Sequence, residues 1–232
     1  MLIELADITI EVLNKDNALA SFFAEYKSEK EALFSVYADD KDIAYEKEIS
    51  DNKYLNETSY LLSAIYRKIC DKIIDYNVIL FHSSALVVDD LGLVFSGVSG
   101  AGKSTHASLY CKYLNATMIN DDKPLIRMIN DEFIIYGTPF SGKHSLNNNI
   151  KHKADGICFI KQAKENKIRK LDDHEKLTYL LNQTYRPRAN DALIKVIKVV
   201  NKMANSIPIY EIECDISKEA VELSYGRLKR SD

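Results

Sequence analysis

The chain has 232 residues, 46% of them hydrophobic and 28% charged, with a formal net charge of -3. That balance suits an ordinary globular protein and gives no reason to expect a nucleic-acid or anionic-membrane partner. Four scattered cysteines without CxxC or CxxH spacing, no apolar run of the ~20 residues that span a bilayer, and an acidic start (M-L-I-E-L-A-D) predict a cytoplasmic protein without zinc, disulfides or a signal peptide.

In chain order, residues 1–12 have strand-like alternation, and F-S-V-Y-A-D-D (34–40) reads as a strand running into a turn. Residues 1–55 are therefore expected to form a small, β-rich α+β appendage, with the main domain over 56–232. Between Glu57 and Tyr76, Leu61, Leu62, Ile65, Ile69 and Ile73 recur at helical spacing, which predicts an amphipathic helix packed on that domain. Strands follow at 78–88 and 93–96, joined by Asp89-Asp90-Leu91-Gly92. A helix is expected over 103–114, and a short strand, A-T-M-I (116–119), ends at Asn120-Asp121-Asp122. Two apolar runs flank Asn130-Asp131, which has hairpin-turn composition. Residues 156–161 read as another strand. One helix is marked by Leu177, Leu180, Leu181 and Thr184, and a second carries Leu193, Val196, Ile197, Val200 and Met203 on one face. A last strand (207–214) precedes a helix capped by Ser217 and running to about Leu228. Interleaved strands and helices predict an α/β fold, and the hairpins make its sheet mixed.

Three of only 8 glycines fall between residues 97 and 102. Gly97-Val98-Ser99-Gly100-Ala101-Gly102-Lys103-Ser104 satisfies G-x-x-x-x-G-K-[ST], entered by a strand and left by a helix, with Thr105 next. Glycines let the backbone wrap a phosphate, and the helix start adds free N–H groups and a positive dipole end. Lys103 suits the β- and γ-phosphates, and the Ser104 hydroxyl suits Mg²⁺. A merely mobile loop would not predict the Lys-Ser pair, so a nucleotide phosphate is the expected ligand.

Two neighbours narrow the chemistry. If the 78–97 hairpin turns about residues 90 and 91, His82 lies roughly opposite Ser99, beside the loop, to bond a phosphate or a metal; the alternative is a strand histidine bonded to a carbonyl. Asp121-Asp122 ends an apolar strand, expected beside the strand that enters the glycine loop, in the Walker B manner. One carboxylate would hold Mg²⁺ and the other would take a proton from an attacking hydroxyl; the alternative is a solvated turn before Pro124. Asp89-Asp90, at a hairpin tip, is expected to be plain solvated surface.

His82-Ser-Ser-Ala on a strand, the G-x-S-G-x-G-K-S loop, and the Asp pair after the next strand together resemble the HPr kinase/phosphorylase and ATP-dependent phosphoenolpyruvate carboxykinase superfamily. Y-G-T-P-F-S-G-K (136–143), T-Y-R-P (184–187) and the I-P-I-Y-E-I-E ending are similar to small HPr-kinase-like proteins found beside peptide-modification genes. The resemblance covers about residues 75–215 and implies a mixed-sheet P-loop core with flanking helices. It implies Asp121 as general base, Asp122 and Ser104 as Mg²⁺ ligands, and His82 at the transferred phosphate or its metal. Lys103 and the 97–105 backbone would hold ATP. Arg186 or Arg188 would neutralise the γ-phosphate or grip the acceptor, unless they are surface arginines beside Pro187, and Lys143, beside His144, would line the acceptor pocket unless it is an exposed loop residue. The chain is too short for a carboxykinase, and the glycine-rich signature after the Asp pair of bacterial HPr kinases has no counterpart.

The expected activity is a Mg²⁺-dependent kinase that moves the γ-phosphate of ATP to a serine-type hydroxyl, in a peptide or a small molecule. The alternatives are a nucleotide-binding regulatory or partner-recognition module without transfer, and an NTP-hydrolysing switch. The expected partners are a nucleotide and a hydroxyl acceptor, with no nucleic acid and no membrane, and with room for a homo-oligomer.

Overall fold

The computed structural model describes residues 1–50, 55–143 and 145–230. Residues 51–54, at the expected end of the appendage, and His144 lie outside them. Among the described residues the fold is a mixed α/β structure with three sheets and seven α-helices, none long and apolar enough to cross a membrane.

The N-terminal part holds β1 (Leu2–Leu5), β2 (Ile8–Val12), α1 (Asn17–Phe22) and β3 (Phe34–Val36), with β2 antiparallel to β1 and parallel to β3. The turn expected near Asp39 is the start of a helix, α2 (Asp40–Ile49), which Asp39 and Asp42 open as a reciprocal capping box. In α3 (Glu57–Ile73) the Asn56 side chain caps the first turn, and the buried face runs through Tyr60, Ala64, Ile65, Ile69 and Ile73. That face sits in an apolar core shared with Ile3, Ile10 and Phe23 of the N-terminal part and with Val78, Leu125 and Phe140 further along. The helix therefore ties the first fifty residues to the rest.

The next strands are β4 (Val78–Leu80), β5 (Ser83–Val88) and β6 (Leu91–Ser96). The single strand expected over 78–88 is two strands in different sheets, with the buried Phe81 between them where the chain passes from one sheet to the other. At the crossing, Phe81 bridges Thr184 and the His82 N–H donates to the Gln183 carbonyl. The chain continues through α4 (Lys103–Leu114), β7 (Thr117–Asn120), β8 (Leu125–Ile129), β9 (Glu132–Tyr136), β10 (Lys151–Lys153), β11 (Gly156–Gln162) and β12 (Lys167–Lys170). It ends with α5 (Asp173–Gln183), α6 (Asn190–Ser206), β13 (Ile209–Cys214) and α7 (Lys218–Leu228), which Ser217 caps as expected. The α6 face is rotated from the one expected. Ala192, Val196, Val199, Val200 and Met203 are buried, while Ile197 is exposed.

The main sheet runs β12-β13-β11-β6-β5-β7. Strands β13, β11 and β6 are parallel, β5 is antiparallel to β6, and β7 is antiparallel to β5. β7 therefore lies one strand away from β6 rather than beside it, yet points the same way. The carboxyl ends of β6 and β7 and the amino end of β5 meet at one edge. Aromatic and aliphatic residues of α4 and α7 cover one face of the sheet. The second sheet, β10-β9-β8-β4, and α6 cover the other.

Candidate functional site

Residues 97–102 leave β6 at that common edge and turn into α4. Gly97, Gly100 and Gly102 all have positive φ. A Cβ on Gly97 would lie 2.9 Å from the Ile160 carbonyl oxygen, in a backbone conformation side chains rarely adopt, so glycine is required there. Ser99 and Val98 are exposed on the rim, and Ala101 is buried beneath them. No side chain caps the start of α4, which leaves the first-turn N–H groups facing the loop, with Ser104 half-buried and Thr105 exposed. Lys103 is buried, and its ammonium donates to the carbonyls of Gly97 at 3.1 Å and Val98 at 3.3 Å. Burial lowers its pKa, while the charge of Asp122 works in the opposite direction.

His82 stands directly across from this loop. The register pairs Ser83 with Ser96, so His82 falls opposite Gly97, two residues short of the expected Ser99. The cause is a tight turn at Asp89 and Asp90, both at positive φ, rather than one centred on residues 90 and 91. His82 does not bond a backbone carbonyl through its ring. Its Nε2 lies 3.0 Å from Asp122 Oδ1. Burial pushes the Asp122 carboxyl up, but the His82 hydrogen bond and the charges of Lys123 and Lys103 outweigh it and hold the group below the usual carboxylate range. Imidazole, carboxylate and ammonium thus act on one another across the mouth of the loop.

Asp121 is fixed differently. It is 3% exposed, its Oδ1 accepts from the Gly142 N–H at 2.6 Å, and its Oδ2 is buried with no hydrogen-bond partner among the described residues. The backbone around it is held from several sides. The Ser84 hydroxyl donates to the Asp121 carbonyl at 2.8 Å, and the Ser83 N–H donates to the Asp122 carbonyl at 3.1 Å. Asn120 Oδ1 accepts from the N–H groups of Asp122 and Lys123, while its Nδ2 donates to the carbonyls of Thr138 and Phe140. Asn120, Ser84 and Gly142 are thus organising residues to which the sequence assigns no role, although each lies inside one of the motifs around His82, Asp121 and Lys143. Among the described residues no three His, Cys, Asp or Glu side chains are grouped to hold a metal by themselves.

The outlying candidates are placed less tightly. Lys143 is exposed, one residue beyond Gly142, whose Cβ would lie 3.2 Å from Asp121 Oδ2. Arg186 and Arg188 are exposed on the loop after α5, anchored where Tyr185 N–H donates to the Leu80 carbonyl beside the His82 turn. Both line a cleft of ≈ 330 Å³ together with Lys123 and residues of α2 and α3. A larger cleft of ≈ 460 Å³, near Asp7 and Lys151, contains none of the candidate residues.

No family model and no curated protein matches this chain. Among solved structures it is similar to the Hpr(Ser) kinase/phosphatase from Coxiella burnetii, at 14% identity and a TM-score of 0.37, over 66% of this chain and 99% of that one. At that distance the chemistry has to be read from the side chains themselves.

Proposed function

We propose that this chain is an HPr-kinase-like, ATP-dependent kinase that phosphorylates a hydroxyl acceptor, with residues 97–105 as its phosphate-binding P-loop. The observation that carries this reading is Asp121. Leaving a carboxylate oxygen buried and unpartnered is costly, and this one has no hydrogen-bond partner among the described residues, so a donor brought by a ligand would relieve it. A substrate hydroxyl is such a donor.

The remaining parts fit a nucleotide. The positive-φ glycines, the uncapped start of α4 and the Lys103 ammonium form a concave set of donors for phosphate oxygens. Ser104 and the ionised Asp122 supply the oxygen ligands Mg²⁺ prefers, and the bound ion would neutralise charge between the β- and γ-phosphates. In the transfer step the acceptor hydroxyl gives its proton to Asp121 Oδ2 as its oxygen bonds to the γ-phosphorus. The bond from that phosphorus to the β–γ bridging oxygen breaks, and ADP leaves. His82, held by Asp122, faces the transferred group. Phosphoryl transfer asks mainly for positioning, charge neutralisation and a base, and these residues supply each.

The test is ADP release that depends on an added alcohol and is lost in Asp121→Asn while MgATP still binds. Equal ATP loss to water, unchanged in that variant, would reject the reading. Nucleotide binding without turnover on any alcohol would instead make the chain a regulatory module.

A further inference from the structure

On the kinase reading a bound nucleotide has a direction along the glycine loop. Lys103 Nζ sits at the carbonyls of Gly97 and Val98, and His82 and Asp122 face that end from β5 and from the end of β7, so the terminal phosphates belong there. The nucleoside must then leave at the other end of the loop, past the start of α4 and toward β11 and β13, on the far side of β6. A shallow hollow of ≈ 60 Å³ opens at that place, with Gly102 and Thr105 on one side and Gln162 and Ile216 on the other. A roomier hollow of ≈ 200 Å³ adjoins Gly97 and Val98, the end that the terminal phosphates take.

Size and lining decide what the small hollow can hold. It is far below the ~300 Å³ or more of a pocket that encloses a small molecule, so a base would lie on it and not in it. Ile216 is 76% exposed, the most exposed large apolar residue among those described, and Leu109 and Ile160 extend its apolar surface into the hollow. The polar side chains of the lining are committed to the protein itself. Gln162 Nε2 donates to the Gly100 carbonyl at 2.8 Å and braces the loop. His106 is bonded to Ser224, and Asp215 Oδ1 accepts from both the N–H and the hydroxyl of Ser217 at the start of α7. Apolar contact is therefore the main means this surface has of holding a base.

We infer that the nucleoside of the bound nucleotide rests on this hollow, with one face of its base on Ile216 and the base edges in water. The phosphates, and not the base, then select the phosphate donor, and ATP and GTP serve alike. The inference rests on the kinase reading above and specifies its donor class.

Calorimetry in Mg²⁺ with ADP, GDP and methyl diphosphate tests it, because methyl diphosphate carries the phosphates of ADP without the nucleoside. ADP and GDP should bind within about tenfold of each other, whereas buried polar groups that read a base edge separate analogues by orders of magnitude. Both should bind about tenfold more tightly than methyl diphosphate. Ile216→Ser should remove most of that gain and leave methyl diphosphate binding and thermal stability unchanged. A wider gap between ADP and GDP, no gain from the nucleoside, or a gain that survives Ile216→Ser would overturn the inference and leave the phosphate loop intact. Failure of all three to bind would overturn the kinase reading and this inference with it. Nucleotide binding as expected, without ADP release on any alcohol, would leave the nucleoside seat standing and overturn the kinase reading alone.

Discussion

The dipeptide Asp-Asp occurs at 39–40, 89–90, 121–122 and 172–173, and the four copies have different fates. Asp39 and Asp172 open helices as capping boxes. Asp89-Asp90 forms a hairpin tip in the left-handed region, where Asp is tolerated, and the Asp90 side chain is 99% exposed. Asp121-Asp122 alone is pulled inward, with Asp121 3% exposed and one of its oxygens without a hydrogen-bond partner among the described residues. The same dipeptide thus starts helices, makes an exposed turn whose carboxylates meet Tyr225 and His152, or places one carboxylate in the interior beside a half-buried one. The difference teaches that function is signalled by the free energy a fold spends to place a residue, and not by the residue type.

Removing the buried carboxylate should have the largest effect. Asp121→Asn is expected to lower acceptor-dependent ADP release by about 10²–10⁴-fold, the usual contribution of a positioned base, with MgATP affinity nearly unchanged. Turnover at the wild-type rate in that variant would remove Asp121 from the chemistry.

A second buried group sharpens the contrast between partnered and unpartnered charge. His106 packs against Phe95 and Tyr110 with Ser224 at 3.1 Å, and burial lowers its pKa to about 4. The unfolded chain therefore binds a proton at higher pH than the folded one, from about 6.5 downward. Stability is full above that value and is lost as pH falls toward about 4, at about 1.4 kcal/mol per pH unit and on the order of 3 kcal/mol in all. Urea unfolding across that range should show this slope in the wild type and a flatter one in His106→Gln.

The smallest effect is expected at the exposed pair. Asp89→Asn with Asp90→Asn keeps the left-handed turn and should change stability by no more than about 0.5 kcal/mol and leave ADP release unaltered. A large loss of activity there would mean that the hairpin tip reaches the site.

The glycine loop, the Asp pair and most strands were readable from the sequence because each is a local pattern: a motif, an alternation or a turn dipeptide. Helix α2 was not, since D-K-D-I-A-Y-E-K-E-I has few apolar residues and its start reads equally well as a turn. The position of His82 came out two residues off, because either of two adjacent turn centres satisfies the same composition. Least legible was the cleft, where Tyr45, Arg67 and Arg188 meet from three separate segments. Such convergence is set by tertiary packing, and no local spacing encodes it.

The most direct test is a crystal structure with a non-hydrolysable ATP analogue and Mg²⁺. The γ-phosphate should lie between Lys103 Nζ and Asp121 Oδ2, with the lysine moved off the Gly97 carbonyl onto phosphate oxygens and Mg²⁺ bound by Ser104 and Asp122. A nucleotide seated elsewhere, with Lys103 still on the loop carbonyls, would contradict the account.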